Sequence, residues 1–221
     1  MWAVGLTTAK VELCGADMMF FLNRFFGYYT VRTVQYESIR CYAGRMPHVP
    51  TTRDRIVDAF QDLLIDQGER AATLDAVAQR AGVSKGGLLY HFGSKDALIE
   101  GLTQRLGELV DADIAVMRVD PAGPIDYFIR TSVSMEGEFD RCIVAAARLA
   151  QGAHPAARDA LKSAQAEWLG VISETVHDPA IARTIMLIGD GIYYNSSMGA
   201  GALTAQEMDD LVATVHRLAN S

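Results

Sequence analysis

The chain has 221 residues, half of them hydrophobic, which is enough for one large domain or two small ones with a buried core. No uninterrupted apolar run reaches about 18 residues, so the sequence disfavours a membrane span. The three cysteines, Cys14, Cys41 and Cys142, are far apart and fit neither a disulfide framework nor a zinc site, which favours a reducing cytoplasm. We therefore expect no metal and no cofactor.

The formal net charge of −7 is unevenly distributed along the chain. Residues 1–45 carry five Lys and Arg against three Asp and Glu, residues 46–95 carry six of each, and residues 96–221 carry nine against eighteen. The acidic part would repel DNA, so the neutral segment is the only plausible nucleic-acid surface. A protein that coats DNA without sequence preference is disfavoured. Residues 46–95 are neutral and residues 96–221 are acidic, so neither segment has the positive charge that such coating requires.

Residues 1–50 show no sustained helical or strand period. An aromatic cluster at residues 18–29 does not fit a signal peptide, because Glu12 and Asp17 precede it and no basic start leads into an apolar run. Three interpretations stay open for this segment. The natural protein begins at Met46, or the segment is a flexible arm, or it is an amphipathic stretch that binds a membrane or a partner.

The pattern from residue 51 onward is helical. Thr52 can cap a first helix, Thr73 and Ser84 can cap two shorter ones, and Ser94 can cap a long fourth helix. A tight turn separates the two short helices at Gly82, where glycine is free to adopt a positive φ. Because the outer face of the second short helix is then available to a DNA major groove, this layout is typical of a helix-turn-helix.

Five further helices are predicted after the prolines at 121 and 124, over about 125–136, 139–151, 155–176, 179–198 and 204–219. No strand alternation of useful length occurs. The sequence therefore predicts an all-α protein of about nine helices. Residues 51–98 form a three-helix helix-turn-helix DNA-binding domain, and residues 99–221 form an α-helical ligand-binding and dimerisation domain.

Residues 73–98, TLDAVAQRAGVSKGGLLYHFGSKDAL, resemble the DNA-binding signature of the TetR family of repressors. The resemblance is close over about residues 52–98, and the helical remainder matches the family in length and layout. It implies a homodimer that pairs its last two helices as a four-helix bundle, and a small-molecule effector within the C-terminal helices. Two recognition helices one DNA turn apart then predict a palindromic double-stranded operator.

Candidate DNA-binding residues lie at the starts of the two short helices and along the second one. Hydroxyls and free backbone amides at helix starts suit phosphates, lysines neutralise them, and Tyr90 and His91 can reach phosphates or base edges. Gly87 stands where many TetR-family relatives have threonine, and Leu89 where many have an aromatic residue. This predicts fewer direct contacts to base edges. The alternative roles are capping and shielding of the core edge. The candidates are Thr73, Ser84, Lys85, Gly86, Gly87, Leu89, Tyr90, His91 and Lys95.

Candidate ligand-binding residues are aromatic, sulfur-containing or isolated polar groups on mostly apolar helix faces, and plain core packing is the alternative for most of them. Asp190 lies among apolar residues and could bind a cationic ligand, pair with Arg183 or face solvent. The candidates are Phe128, Met135, Glu136, Cys142, Trp168, Ile172, Met186, Asp190 and Tyr194.

The last two helices carry small and apolar side chains that suit either a dimer interface or packing inside one subunit. They are Ala182, Ile185, Gly189, Ile192 and Ser196 on one helix, and Leu211, Val215 and Leu218 on the other. An interface between copies follows from the resemblance.

The predicted function is a cytoplasmic transcriptional repressor that a small molecule releases from DNA. A protein that needs its ligand as co-repressor, or an activator, is equally compatible with the sequence. An enzyme is a remote alternative, because Gly189-Asp190-Gly191 lacks the third glycine and the preceding strand of a dinucleotide fingerprint, and no catalytic constellation stands out.

Overall fold

The computed structural model describes residues 50–133, 137–152, 154–201 and 203–220, so the interpretations of the first 49 residues lie outside the described part. All regular structure in these ranges is helical, which confirms the predicted all-α class. The helices are α1 (Thr52–Gln67), α2 (Leu74–Ala81), α3 (Lys85–His91), α4 (Lys95–Val119), α5 (Pro124–Thr131), α6 (Glu138–Gln151), α7 (Pro155–Thr175), α8 (Pro179–Ser197) and α9 (Ala205–Ala219). We call residues 51–98 the head and the described residues from 99 onward the body.

The head helices begin at side-chain caps. Thr73 accepts a hydrogen bond from the amide of Ala76 at 3.2 Å, and Ser84 accepts one from the amide of Gly87 at 3.0 Å, as predicted. Gly82 ends α2 with a φ of 68°, the left-handed conformation that glycine adopts without strain. These signals fix both ends of the turn between α2 and α3.

The cap of α1 lies one residue earlier than predicted. Thr51, not Thr52, accepts the amide of Asp54 at 3.1 Å, and the Asp54 carboxylate accepts the Thr51 amide at 2.9 Å. This reciprocal pair is a capping box, which requires an acceptor three residues after the cap and therefore selects Thr51. Thr52 is the first helical residue.

Two hydrophobic clusters organise the described residues, and α4 contributes to both. Its first half places Leu98 and Leu102 in a cluster with α1, α2, α3 and α6. Its last turn places Met117 in a second cluster with α5, α7, α8 and α9. Because one continuous 25-residue helix serves both cores, it joins the head to the body.

Helix α5 ends at Thr131, five residues before the predicted end. The hydroxyls of Thr131 and Ser132 donate to the carbonyl oxygens of Tyr127 at 2.9 Å and Phe128 at 2.8 Å. Hydroxyls that bond back to carbonyls one turn earlier compete with the regular backbone hydrogen bonds of a helix, which disfavours its continuation. Residues 134–136 lie outside the described ranges.

Candidate nucleic-acid interface and ligand region

Helix α3 is anchored by its inner face. Leu88 is fully buried and Phe92, directly after the helix, is nearly so, whereas Val83 in the turn is only half-buried. The small Ala78 of α2 is buried in the same cluster, as the close crossing of two short helices requires. Packing therefore fixes the orientation of a helix that has only seven residues.

The outer face of α3 carries large side chains that no packing in the described chain demands. Tyr90 is 86% exposed, and Leu89 and His91 are also exposed. The rings of Tyr90 and His91 meet edge to face, with centroids 5.2 Å apart. An exposed tyrosine presents an apolar ring and a hydroxyl that can donate or accept, which suits contact with a polar partner.

The two glycines of α3 have different surroundings. A Cβ at Gly87 would lie 3.2 Å from the Ser84 hydroxyl oxygen, so glycine leaves that cap undisturbed. A Cβ at Gly86 would meet nothing within 4 Å, so no contact in the described chain requires glycine there. Since glycine costs a helix about 1 kcal/mol relative to alanine, close approach of an external backbone is one physical reason for Gly86.

The two candidate lysines are both engaged by carboxylates of the head. The Lys85 ammonium lies 2.9 Å from the Asp75 carboxylate, and both side chains are mostly exposed. The Lys95 ammonium donates to the main-chain oxygen of Glu69 at 2.9 Å and to its carboxylate at 3.3 Å, in a half-buried position. Lys95 is thus held inside the head, whereas the other candidates, apart from the half-buried Gly87, are exposed.

Glu69 also connects the head to the body. Nε2 of His154, in the α6–α7 connection, lies 2.9 Å from the carboxylate oxygen that Lys95 contacts. The hydrogen bond with His154, together with the charge and hydrogen bond of Lys95, lowers the pKa of Glu69 below its usual value. Arg105 makes a second connection, because its buried guanidinium donates to the Asp58 carboxylate of α1.

The body contains a buried polar group that the sequence interpretation missed. The Asp113 carboxylate accepts from the Tyr127 hydroxyl at 2.7 Å and from Nε1 of Trp168 at 2.9 Å. The Trp168 ring has Phe128 at a centroid distance of 6.3 Å and Phe139 at 6.0 Å. The available signal was an acid at a core-facing helical position of α4, among buried apolar residues.

Five of the candidate ligand-binding residues lie in or against the two hydrophobic clusters. Four of them, Phe128, Trp168, Ile172 and Met186, belong to or pack against the second core. Cys142 lies in the first core, where its thiol donates to the Leu102 carbonyl oxygen over 3.8 Å.

The remaining candidates lie apart from that core or outside the described chain. Asp190 is half-buried, accepts from Gln165 at 3.3 Å, and has a pKa that burial raises while Arg183 opposes the shift. Tyr194 is exposed. Met135 and Glu136 lie outside the described residues.

The small and apolar stripe of α8 packs inside the subunit, which is one of the two predicted alternatives. Ala182, Ile185, Gly189 and Ile192 are all buried in their own chain. A Cβ at Gly189 would lie 2.3 Å from the Phe128 ring, so this glycine permits α5 to approach α8. On α9, Val215 is buried and only Leu218 of the three predicted residues is exposed. The exposed large hydrophobics of this region are Leu187, Tyr194, Met198, Leu203 and Leu218.

Sequence comparisons match both parts of the chain to one family. Residues 56–102 match the bacterial regulatory proteins of the tetR family, and residues 124–220 match the tetracyclin repressor-like C-terminal domain. The chain belongs to the TetR family. This membership confirms the resemblance that residues 73–98 indicated, and it favours a transcription regulator over an enzyme.

Individual relatives agree with this assignment. The chain is 29% identical over 147 residues to the HTH-type transcriptional regulator BetI 1 of Chromohalobacter salexigens, covering 66% of this chain and 63% of that relative. The match therefore spans less than two thirds of the relative's length.

Solved structures share the TetR fold. A TetR-family regulator from Rhodococcus sp. superposes with a TM-score of 0.61 at 19% identity, over 77% of this chain and 99% of the other. The multidrug binding protein EbrR, solved with ethidium, superposes with a TM-score of 0.54 at 19% identity, over 76% of this chain and 99% of the other. Among the described helices of our chain, none is long and apolar enough to cross a membrane.

Proposed function

We propose that this TetR-family chain is a cytoplasmic, sequence-specific DNA-binding repressor, and that it acts as a homodimer released from a palindromic operator by a small molecule. The observation that carries the DNA-binding part is the outer face of α3. The inner face of this helix is anchored by the buried Leu88 and Phe92, and its outer face exposes Tyr90 almost fully to solvent. A rigid short helix with an unpacked polar and aromatic face matches the geometry with which a helix-turn-helix enters the major groove.

The individual contacts follow from position. Thr73 and Ser84 use their oxygens as caps, and each hydroxyl retains a proton that can be donated to a phosphate. Lys85 supplies a cation, and Gly86 allows the DNA backbone to approach. Tyr90, His91 and Leu89 then contact base edges, thymine methyls or phosphates.

An exposed stripe of α8 supports the homodimer. Leu187, Tyr194 and Met198 recur at helical spacing on its outer face, with the exposed Gly191 between them. Large apolar groups around a glycine suit the close approach of a second helix, and Leu218 on α9 extends the surface. We expect Leu187→Glu to convert a dimer into a monomer, measured by light scattering after size-exclusion chromatography.

The second core supports an effector site in the body. Asp113, Tyr127 and Trp168 place polar atoms within an aromatic cluster, and a few convergent polar groups on apolar walls are typical of small-molecule sites. The same fold holds ethidium in EbrR. We expect Trp168→Phe to lower the affinity for compounds that raise the melting temperature of the wild-type chain.

The direct test is binding of the full chain to a labelled fragment of its own upstream DNA, with excess non-specific competitor. We expect a retarded complex that survives competitor and weakens steeply with salt. Tyr90→Ala should weaken this complex roughly 10-fold or more, by the loss of about 1–3 kcal/mol per contact. The control is Val119→Ala, which changes an exposed apolar residue at the far end of α4. If random-sequence selection also enriches no site, the proposed DNA binding is wrong.

The same assay decides the logic of regulation. A ligand that weakens the complex makes the protein a repressor relieved by its effector. A ligand that strengthens it indicates a co-repressor or an activator, which the fold accommodates equally.

A further inference from the structure

The exposed surface of the head that carries the candidate DNA-binding residues also carries an acid. Asp75, in the first turn of α2, lies 2.9 Å from the ammonium of Lys85, in the first turn of α3. Both side chains are mostly exposed, Lys85 by 58% and Asp75 by 70%. Such a pair contributes little to stability in water, so its function can differ from holding the fold.

The second lysine pair behaves differently. Lys95 and Glu69 are only about one-third exposed, and the ammonium also bonds to the Glu69 main-chain oxygen. The His154 ring holds the same carboxylate. Displacing Lys95 would break two bonds in a half-buried position, whereas displacing Lys85 breaks one exposed pair, so Lys95 stays with Glu69 while Lys85 can exchange.

We propose that Asp75 competes with DNA for Lys85: it neutralises this lysine in the absence of an operator and so suppresses binding to arbitrary DNA. The proposal rests on the proposed DNA-binding function. A phosphate must take Lys85 from Asp75, and the freed carboxylate then faces the polyanion. Base contacts at the operator offset this cost, whereas contacts to the DNA backbone alone do not.

The exchange has a signature in the salt dependence of binding. When a free lysine binds a phosphate, about 0.9 counterion is released. When Lys85 leaves Asp75, the carboxylate takes up a cation from solution, so this exchange releases almost none. Eliminating the carboxylate should therefore steepen the slope of log affinity against log salt by about 0.9 per head, or about 2 for a dimer.

The experiment measures binding of the full chain to a random-sequence duplex of about 30 base pairs, from about 50 to 200 mM salt. We expect Asp75→Asn to bind this DNA roughly three- to ten-fold more tightly than the wild type at about 100 mM salt, because an exposed pair is lost in each head. The slope should steepen by about 2. Tighter binding without a steeper slope would overturn the exchange.

Two further variants separate exchange from simple repulsion. Adding Lys85→Gln to Asp75→Asn should abolish the gain, whereas a gain that persists would show that Asp75 only repels phosphates and would overturn the proposal. Glu174→Gln is the charge-matched control. Glu174 pairs with Arg118 at the end of α4 opposite the head, about 35 Å away along the helix, and its substitution should leave the slope unchanged.

The outcomes also distinguish this inference from the function on which it rests. If the wild type retards no DNA at any salt concentration and selection enriches no site, the DNA-binding function fails. If the wild type binds and Asp75→Asn binds random DNA no better, only the inference fails. Weaker binding of Asp75→Asn to a selected operator, with random DNA unaffected, would indicate that Asp75 accepts a hydrogen bond from a base and would overturn its role as a competitor.

Discussion

The head and the body differ in how regularly their helices begin at side-chain caps. Each helix of the head, and α4 that follows it, begins at a side-chain cap: Thr51, Thr73, Ser84 and Ser94. In the body, α5 and α7 begin without a side-chain capping hydrogen bond, and α6 has only the bond from the Gly137 amide to the Asp140 carboxylate. The last two helices, α8 and α9, begin at the caps Asp178 and Thr204. A helix without a cap depends on the burial of its side chains, and α5 buries six of its eight residues.

Local signals and burial therefore contribute unequally in the two regions, and substitutions can measure the difference. Changes to buried side chains should be costly in both. Loss of a cap should be costly in the head, because each of its helices begins at a side-chain cap.

Leu88→Ala should be the most destabilising, by about 2–5 kcal/mol, because it removes a fully buried side chain that attaches α3 to the head. Leu89→Ala, at the neighbouring exposed position, is the matched control and should stay within about 0.5 kcal/mol. Urea denaturation followed by circular dichroism measures both. Equal effects at the two positions would show that α3 is not held by its inner face.

Gly189→Ala tests packing in the body and should cost about 1–3 kcal/mol, because the added methyl group overlaps the Phe128 ring. Gly170→Ala, on the exposed surface of α7, is the matched control, since a Cβ there meets nothing within 4 Å. Thermal denaturation of the two variants provides the comparison. A stable Gly189→Ala protein would mean that α5 and α8 separate at little cost.

Ser84→Ala should cost about 1 kcal/mol by removing the cap on the Gly87 amide. Ser163→Ala, on the exposed surface of α7, controls for the loss of a hydroxyl away from any cap. The difference in stability is measured from the midpoints of denaturant unfolding, provided that the dependence of the unfolding free energy on denaturant concentration is the same for both variants. If both serines prove equivalent, caps do not stabilise the head and the contrast between the regions fails.

The pH dependence at Glu69 should be the smallest effect. The folded-state pKa of Glu69 is lowered, so its contribution to stability is present above the unfolded value of about 4.5 and is lost as pH falls through the folded value. Glu69→Gln should therefore be less stable than the wild type near neutral pH, with the gap closing in acid. Melting temperatures from about pH 3 to 7 measure this, and a gap that widens in acid would contradict it.

The same contrast explains what the sequence could predict. In the head, the glycine turn and the hydroxyl caps are local signals, so they predict the helix ends to within about a residue, including the one-residue shift of the first cap from Thr52 to Thr51. The exposed candidates on α3 also follow from local spacing. The engagement of Lys95 by Glu69 could not be predicted, because the two residues are 26 positions apart.

In the body, helical periodicity predicted the elements but not their partners. The stripe of Ala182, Ile185 and Gly189 has the same period whether it faces a second copy or its own chain, and only the approach of Phe128 distinguishes the two. Asp113 looked like an ordinary acid on a long helix because its donors, Tyr127 and Trp168, come from other helices. Contacts between elements carry this information, and local sequence does not.

The surroundings of Cys142 make its thiol a chemical reporter of separation between α6 and α4. The sulfur is fully buried against the Leu102 carbonyl, and burial raises its pKa to about 12. Because the thiolate is the reactive species, alkylating reagents should modify this sulfur only after the two helices part. In a chain with serine at positions 14 and 41, the rate of alkylation would follow this opening directly. A ligand or DNA that changes the rate would show that its binding is coupled to the contact between α4 and α6.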